Sequence, residues 1–312
     1  MKKALVIGSL GFVGEYLIKE LENSEIVCFG ADIKKKCNNS NNYYEMNLLN
    51  KYEIEKILVE VQPDYIVNLA AISSVKQSWL MPDVTFDINV KGIINLFEAI
   101  RSLQTNPRIL LIGSSEQYGN IAHENPINEN NELNALNPYG ISKITQEKIA
   151  EMYIKTFDLD IVLVRAFNHI GPKQALGFAI PDFCNQIVEA EKKQKVTDIF
   201  VGNLTAKRDF TDVRDIVRAY RFLLEKGKNG EIYNVGSGSA HSLEYMLEFL
   251  VDKSVCDFNI VIDKDKFRPV DTPVIICDNS KIRRETGWMP EIEIEETLID
   301  VLNYWRNVRR MN

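Results

Sequence analysis

Gly8, Gly11 and Gly14 form a GxxGxxG turn between two segments of different periodicity. Ala4–Ile7 before it is an apolar run of strand length. Phe12–Leu21 after it has helical spacing, with Val13, Tyr16, Leu17 and Leu21 on one side. Glycines at those positions permit a tight turn and a close approach of backbone to a ligand. The helix that follows offers N–H groups without intrahelical partners and a partial positive charge, a site suited to an anion. A strand, this turn and a helix in that order are the context a dinucleotide-binding motif requires.

The remainder of the first half keeps the alternation. Glu25–Phe29 reads as a strand, Tyr52–Val61 as a helix ended by Pro63-Asp64, and Tyr65–Leu69 as a strand. Val84–Leu103 reads as a long helix, and Arg108–Ile112 and Ile161–Val164 as buried strands. Continuous apolar strands alternating with helices predict an α/β fold, a doubly wound parallel sheet of the Rossmann type with helices on both faces. Asn38–Asn42 is a polar patch expected in a surface loop. After residue 166 the character changes, with Gly171-Pro172, Gly177 and Pro181 marking longer loops. Helices are expected at Val213–Leu224, His241–Leu250 and Glu295–Arg309. The expected division is a dinucleotide-binding domain over 1–166 and a smaller mixed α/β substrate lobe over 167–312. The chain remains free to cross back to the sheet, and the cleft between the lobes is the expected ligand site.

Composition narrows the partners. With 37 basic and 44 acidic residues the net charge is −7, which argues against nucleic acid and against an anionic membrane surface. The start, Met1-Lys2-Lys3 and Ala4–Ile7, is too short in its apolar run for a signal peptide, and Gly8 breaks it. No stretch approaches the roughly 18 apolar residues of a membrane span. Cys28, Cys37, Cys184, Cys256 and Cys277 form no CxxC pair, and only three histidines accompany them, so neither a disulfide framework nor a metal site is expected. The expectation is a soluble cytoplasmic protein.

Asp32 follows the second strand, where a carboxylate accepts hydrogen bonds from ribose hydroxyls and repels a 2′-phosphate. It favours NAD(H), while Lys34, Lys35 and Lys36 beside it keep NADP(H) open. Tyr139 and Lys143 stand at i and i+4 behind Asn137-Pro138, a helix cap and first-turn proline, and so share one helix face. A phenol with its ordinary pKa of about 10 exchanges protons poorly near neutrality. A neighbouring ammonium favours its ionised form, which suits Tyr139 to acid/base work on an alcohol–ketone pair. Ser114, in "GSSEQYG" (Gly113–Gly119) after the Arg108–Ile112 strand, faces the crevice at the strand ends and can hydrogen-bond the same substrate oxygen. For a diphosphate-bearing ligand the donors are Asn168, Arg208 and Arg268, and Asp271 can accept from a sugar hydroxyl or base edge. An ion pair of Arg208 with Asp209 or Asp212 is the competing reading. His169 is expected to be a packed, hydrogen-bonded residue beside the cofactor, since Tyr139 fills the proton role.

These features resemble the extended short-chain dehydrogenase/reductase family, whose members act on nucleotide-sugars. The resemblance covers essentially the whole chain. It includes Asn68-Leu69-Ala70-Ala71, Asn89, "RDFTDVRD" (Arg208–Asp215), "YNVGSG" (Tyr233–Gly238) and Gly287-Trp288. It implies a catalytic triad of Ser114, Tyr139 and Lys143. It implies cofactor contacts from Gly8, Gly11, Phe12, Val13, Gly14, Asp32, Leu69, Ala70, Ala71, Asn89, Tyr139, Lys143 and His169. Such proteins often dimerise through a four-helix bundle that uses the Tyr139 helix, so a homodimer is expected. Tyr153 and Ile154 on that helix belong either to this face or to the core.

Within that family, "SSVKQSW" (Ser73–Trp79), "GSSEQYG", "RAFNHIGPKQALGF" (Arg165–Phe178), "VGNLTAKRDFTDVRDI" (Val201–Ile216) and "RPVDTP" (Arg268–Pro273) resemble the GDP-6-deoxy-D-mannose reductases. The implied activity is NAD(P)H-dependent reduction of the C4 keto group of a nucleotide-linked 4-keto-6-deoxyhexose, with GDP as the favoured nucleotide. Ser73, Ser115, Asn168, Gln174, Arg208, Arg268 and Asp271 are the implied substrate contacts. Asp32 departs from the Ser-Arg type of pair that suits a 2′-phosphate in those reductases. Glu116, beside Ser115, matches the Ser-Glu of GDP-mannose 4,6-dehydratases and keeps a dehydratase reading open as a second catalytic carboxylate. A reductase or epimerase acting on a UDP- or dTDP-sugar is a further alternative, and a dinucleotide-binding regulator without turnover is the remaining one.

Overall fold

The computed structural model describes residues 1–34, 42–121, 125–193, 196–267 and 272–310. The first half contains β1 (Lys3–Ile7), α1 (Phe12–Asn23), β2 (Val27–Asp32), β3 (Tyr43–Glu45), α2 (Lys51–Val61), β4 (Tyr65–Asn68), α3 (Val75–Leu80) and α4 (Pro82–Phe86). After a π-helical turn, Asp87–Lys91, come α5 (Gly92–Ser102), β5 (Arg108–Ser114), α6 (Pro138–Phe157) and β6 (Ile161–Ala166). The second half contains β7 (Asn168–Ile170), α7 (Ala179–Lys193), β8 (Thr197–Val201), β9 (Lys207–Asp212), α8 (Val213–Lys226), β10 (Ile232–Val235) and β11 (Ala240–Ser242). It closes with α9 (Leu243–Asp252), β12 (Phe258–Ile262), β13 (Val274–Ile275), α10 (Ser280–Thr286) and α11 (Ile294–Arg310).

Seven strands form one sheet in the order β10-β6-β5-β4-β1-β2-β3, every neighbouring pair parallel. The fold is the α/β, Rossmann-type arrangement that the alternation predicts. Side chains alternate faces along a strand, and the cores follow that rule. Ala4, Val6, Tyr65, Val67, Leu110, Val162 and Val164 pack in one core with Leu17 of α1 and Ile216 of α8. Leu5, Ile7, Ile66, Ile109, Leu111, Ile161 and Leu163 pack in the other with residues of α2, α5 and α6. The strand order reverses beside β1, which opens a crevice at the strand C-termini.

Several boundaries move for local reasons. The second strand starts at Val27 rather than Glu25, because Glu25 sits in the left-handed region (φ 61°). The Val84–Leu103 helix is α4, the π turn and α5 in succession. Asn42 is described, but the rest of the Asn38–Asn42 patch lies outside the described residues. His241 is in β11, opposite Arg208 of β9, and not in a helix. α9 begins after Ser242, whose Oγ accepts from the Tyr245 N–H at 3.0 Å.

Beyond residue 166 the chain builds a third core from α7, α9 and α11 against Ile199, Val201 and Ile170. β9 there pairs with β7, β11 and β13, and β8 with β12. The chain also crosses back: α8 packs in the core it shares with α1, and β10 forms the edge of the large sheet beside β6. Residues 213–226 and 232–235, on the far side of a boundary at 167, are therefore built into the large lobe. Among the described residues no helix is long and apolar enough to cross a membrane.

Candidate active site

The glycine turn is a cradle in which side chains have no room. Gly8 has φ +79°, and a Cβ on it would lie 2.7 Å from the Ala70 nitrogen. A Cβ on Gly14 would lie 2.7 Å from the Gly8 carbonyl oxygen. Gly11 precedes α1 with extended backbone and no side chain caps the helix start, so the amides at Phe12 and Val13 face outward without an intrahelical acceptor. The turn is fastened to its surroundings. Gly8 N–H donates to the Ala31 carbonyl at 2.8 Å, Leu69 N–H to the Ile7 carbonyl at 2.8 Å, and Ser9 Oγ to Ala31 O at 3.1 Å. Asp32 ends β2, and its Oδ2 accepts from the Leu10 N–H at 3.0 Å. The cradle that a Cβ would fill, the uncapped helix start and the carboxylate at the end of β2 fit a nicotinamide dinucleotide.

Leu69, Ala70 and Ala71 line the other side of the turn, in the loop that leaves β4. Asn89, in the π turn, clamps this loop. Its Oδ1 accepts from the Ile72 N–H at 2.9 Å, and its Nδ2 donates to Ile72 O at 3.2 Å and to Ser142 Oγ at 2.9 Å. One amide thus holds the loop against α6. Ser73 lies in the same loop and is exposed. π-helical turns are rare and recur at functional sites.

At the end of β5 the chain enters a short 3₁₀ turn, Ser115–Gln117. Ser114 Oγ accepts from the Glu116 N–H at 3.2 Å, and the hydroxyl lies near enough to the Tyr139 phenol to lower its pKa. Asn137 caps α6 by accepting from the Gly140 N–H at 2.8 Å, and its Nδ2 donates to Glu116 Oε2 at 2.9 Å. Tyr139 is buried, and that burial pushes its phenol up to about 12; the nearby Ser114 hydroxyl opposes the rise and the Glu116 charge adds to it. Lys143 is buried as well, which holds its ammonium down to about 7. Its Nζ donates to the Ile112 carbonyl at 2.7 Å and lies 5.9 Å from the centre of the Tyr139 ring. The spacing predicts an ammonium that lowers the phenol, and the geometry differs. Lys143 aims at the strand end, and burial sets the direction of the phenol's shift.

His169 is packed and hydrogen-bonded. Its ring stacks on Phe12 at 6.2 Å between centroids, and Nδ1 hydrogen-bonds the Phe167 carbonyl at 3.1 Å. Burial holds its pKa below the ordinary value, so the imidazole is neutral. The Gln174 side chain donates to the His169 carbonyl at 3.2 Å, while its buried Oε1 has no partner among the described residues. Asn168 lies on β7 opposite Phe210 of β9. Arg208 is buried and donates to the Lys207 carbonyl at 2.9 Å. The carboxylates that compete for it are engaged elsewhere. Asp209 accepts from Ser237, Gly238 and Cys277, and Asp212 pairs with Arg214 at 2.7 Å. Arg268 and Asp271 lie outside the described residues. Ser115 is buried within the 3₁₀ turn.

Sequence reading missed the polar groups beneath this turn. Gln117 Oε1 accepts from the Ser114 N–H at 2.8 Å, and Gln117 Nε2 donates to Glu147 Oε2 at 2.9 Å. Glu147 pairs with Arg165 at 2.7 Å, both side chains almost wholly buried. The one available signal was spacing, since Glu147 stands one turn after Lys143 on the same helix face.

The model of the family described as GDP-mannose 4,6 dehydratase matches residues 5–301. The chain belongs to this family of extended short-chain dehydrogenases/reductases. It is an NAD(P)-dependent oxidoreductase of the family's nucleotide-sugar type. The GDP-6-deoxy-D-mannose reductase of Pseudomonas aeruginosa is 31% identical over 246 residues, 78% of this chain and 81% of that one. The solved structure of RMD from Pseudomonas aeruginosa complexed with NADPH superposes with a TM-score of 0.89 at 28% identity, covering 99% of this chain and 100% of its own. The UDP-glucose 4-epimerase of Thermotoga maritima with UDP-glucose has a TM-score of 0.88 at 25% identity, covering 98% and 99%. Family members with the same architecture thus include reductases, dehydratases and epimerases.

Proposed function

We propose that this enzyme reduces the C4 keto group of a nucleotide-linked 4-keto-6-deoxyhexose, with GDP-4-keto-6-deoxy-D-mannose as substrate and GDP-6-deoxy-D-mannose (GDP-rhamnose) as product. The observation that carries the reading is the placing of Tyr139 and Lys143, on the first turns of α6, beside Ser114 at the end of β5. The similarity to a GDP-6-deoxy-D-mannose reductase supports the sugar and the nucleotide. Gly8, Gly11, Phe12, Val13 and Gly14 would hold the dinucleotide diphosphate, Asp32 the adenosine ribose, and Lys143 the nicotinamide ribose. When bound, the dinucleotide supplies the hydride for C4. Tyr139 gives its proton to the C4 oxygen, and Ser114 donates a hydrogen bond to the same oxygen as charge develops there. Lys143 offsets the negative charge left on the phenol. Asn168, Gln174 and Arg208 are the described residues assigned to the substrate's diphosphate and sugar, and Ser73 and Ser115 flank the sugar.

Asp32 favours NADH over NADPH, since its carboxylate repels a 2′-phosphate at the ribose position. The dehydratase reading needs Glu116 as a second acid/base group for loss of water across C5 and C6. Glu116 Oε2 accepts from Asn137, the residue that caps the catalytic helix, and the substrate assay separates the two readings. The test is incubation with GDP-4-keto-6-deoxymannose and either NADH or NADPH, following cofactor absorbance and product mass. Cofactor oxidation with a gain of about 2 Da is expected, one hydride and one proton being added. Consumption of GDP-mannose with loss of water, and no reduction of the keto-sugar, would overturn the reading.

A further inference from the structure

Three buried side chains join the catalytic turn to the catalytic helix. Gln117 reaches back to Ser114, accepting its N–H at 2.8 Å, and forward to Glu147, donating to Oε2 at 2.9 Å. Glu147 is on α6, two turns after Tyr139 and one after Lys143. Its carboxylate takes a bidentate pair from Arg165, Nε at 2.9 Å and Nη2 at 2.7 Å. Arg165 in turn lies on β6, cross-strand from Gly113, the residue before Ser114. The network has no slack at that point. A Cβ on Gly113 would stand 2.3 Å from Gln117 Oε1. The side chains of Glu147 and Arg165 are only 5% and 4% exposed.

The residues connected are those whose relative placement decides the chemistry. Ser114 ends β5, while Tyr139 and Lys143 belong to a helix that starts more than 20 residues later in the chain. Backbone continuity therefore does not set the distance between them. A bidentate charged pair is stiff and directional, unlike a contact between apolar side chains.

We infer that Gln117, Glu147 and Arg165 form a positioning unit that sets the register of the Ser114 hydroxyl against Tyr139. Gln117 is its joint, the one side chain among the described residues bonded both to the turn and to the helix carboxylate. Polar groups are retained in the interior here because an apolar core would pack the turn without fixing its register.

The experiment uses Gln117→Met, nearly isosteric and without donor or acceptor, with Ser114→Ala and the double variant. Turnover measurement rests on the ketoreductase reading. Expected is a kcat lower by about tenfold to a hundredfold, the scale of a misplacement of about 1 Å. The substrate KM should change less than kcat, because Asn168, Gln174 and Arg208, assigned to the substrate's diphosphate and sugar, lie on other segments. In the double variant Gln117→Met should add nothing to Ser114→Ala, since it acts through Ser114. Additive losses, or a kcat equal to that of the unmodified enzyme, would overturn the inference. A second readout needs no substrate. With tyrosine labelled at ring ¹³Cζ, and the Tyr139 resonance assigned by its loss in Tyr139→Phe, Gln117→Met should move that resonance in the same direction as Ser114→Ala. An unmoved resonance in a folded variant overturns the inference. Failure of the unmodified enzyme to reduce the keto-sugar counts against the function alone, and the resonance then decides. Should Gln117→Met not fold, Gln117→Ala, which admits water to both partners, takes its place in the same measurements.

Discussion

Replacing Glu147 by alanine should cost more stability than any exposed charge on the same helix. The substitution removes both bonds to Arg165, at 2.7 and 2.9 Å, and the bond from Gln117 at 2.9 Å. It leaves a guanidinium with a 4% exposed side chain whose remaining partners are the Tyr118 hydroxyl at 2.9 Å and the Glu129 carbonyl at 3.0 Å. Breaking a buried pair from one side costs about 3–5 kcal/mol, because the surviving charge stays desolvated. At about 2 °C per kcal/mol for a chain of this size, the melting temperature should fall by about 6–10 °C. Glu151→Ala supplies the control. Glu151 pairs with Lys148 at 2.8 Å on α6, with the lysine side chain 61% exposed. An exposed pair contributes about 0–1 kcal/mol, so its loss should shift melting by no more than about 2 °C. Glu147→Met/Arg165→Met removes both charges and should melt above Glu147→Ala, since no unpaired ion remains. The assay is differential scanning calorimetry at one pH and one protein concentration. Equal shifts for Glu147→Ala and Glu151→Ala would refute the reasoning, as would a double variant less stable than the single.

Three further outcomes follow from the site. Tyr139→Phe removes the proton donor and should lower kcat by about 10²–10⁴-fold while dinucleotide affinity, read by fluorescence titration, holds within about threefold; near-normal turnover refutes the role. Asp32→Ala should weaken NADH by about tenfold or more, the scale of a charge-assisted hydrogen bond, and spare NADPH; equal losses for both refute it. Burial holds Lys143 at about 7 against the ordinary 10.5, so between those values the unfolded chain binds more protons and stability rises with pH across that window. Lys143→Met should therefore gain most over the unmodified protein at pH 7 and below, with the gain fading toward pH 10.5; parallel melting curves from pH 6 to 10 would refute the assignment.

The large sheet was legible because both of its signals are local. Ala4 and Val6 on one face and Leu5 and Ile7 on the other are a continuous apolar run in sequence, which is what a strand covered on both sides requires. The glycine turn was legible because its spacing reflects a steric demand, the approach of Gly8 to Ala70. Tyr139 and Lys143 were legible as an i,i+4 pair on a capped helix. What was hidden depends on contacts distant along the chain. β10 joins β6 only after the second lobe has begun, and no local pattern marks that return. His241 reads as helical until Arg208 pairs with it across strands. The target of Lys143 was also hidden, because a strand-end carbonyl at Ile112 carries no side-chain signature. Gln117 and Glu147 look like polar surface residues in sequence and prove buried only once Arg165 is brought beside them.

Burial acts on Tyr139 and Lys143 in opposite directions, raising one to about 12 and lowering the other to about 7. Both shifts favour the neutral group, since each charged form loses hydration. The resting site therefore holds a phenol with its proton in place, the state an acid needs before reduction of a ketone. On the proposed mechanism, loss of that proton during turnover creates a negative charge in the same desolvated space. That charge favours protonation of Lys143, whose ammonium lies 5.9 Å from the ring centre. The two groups thus stabilise each other only while the phenol is ionised. Ser114 acts differently, as a hydroxyl set beside the phenol that lowers its pKa. The lysine responds to the charge that the chemistry creates, whereas the serine must already be in register when the substrate arrives. A rigid polar network is accordingly needed beneath Ser114, and it is there that Gln117, Glu147 and Arg165 are found.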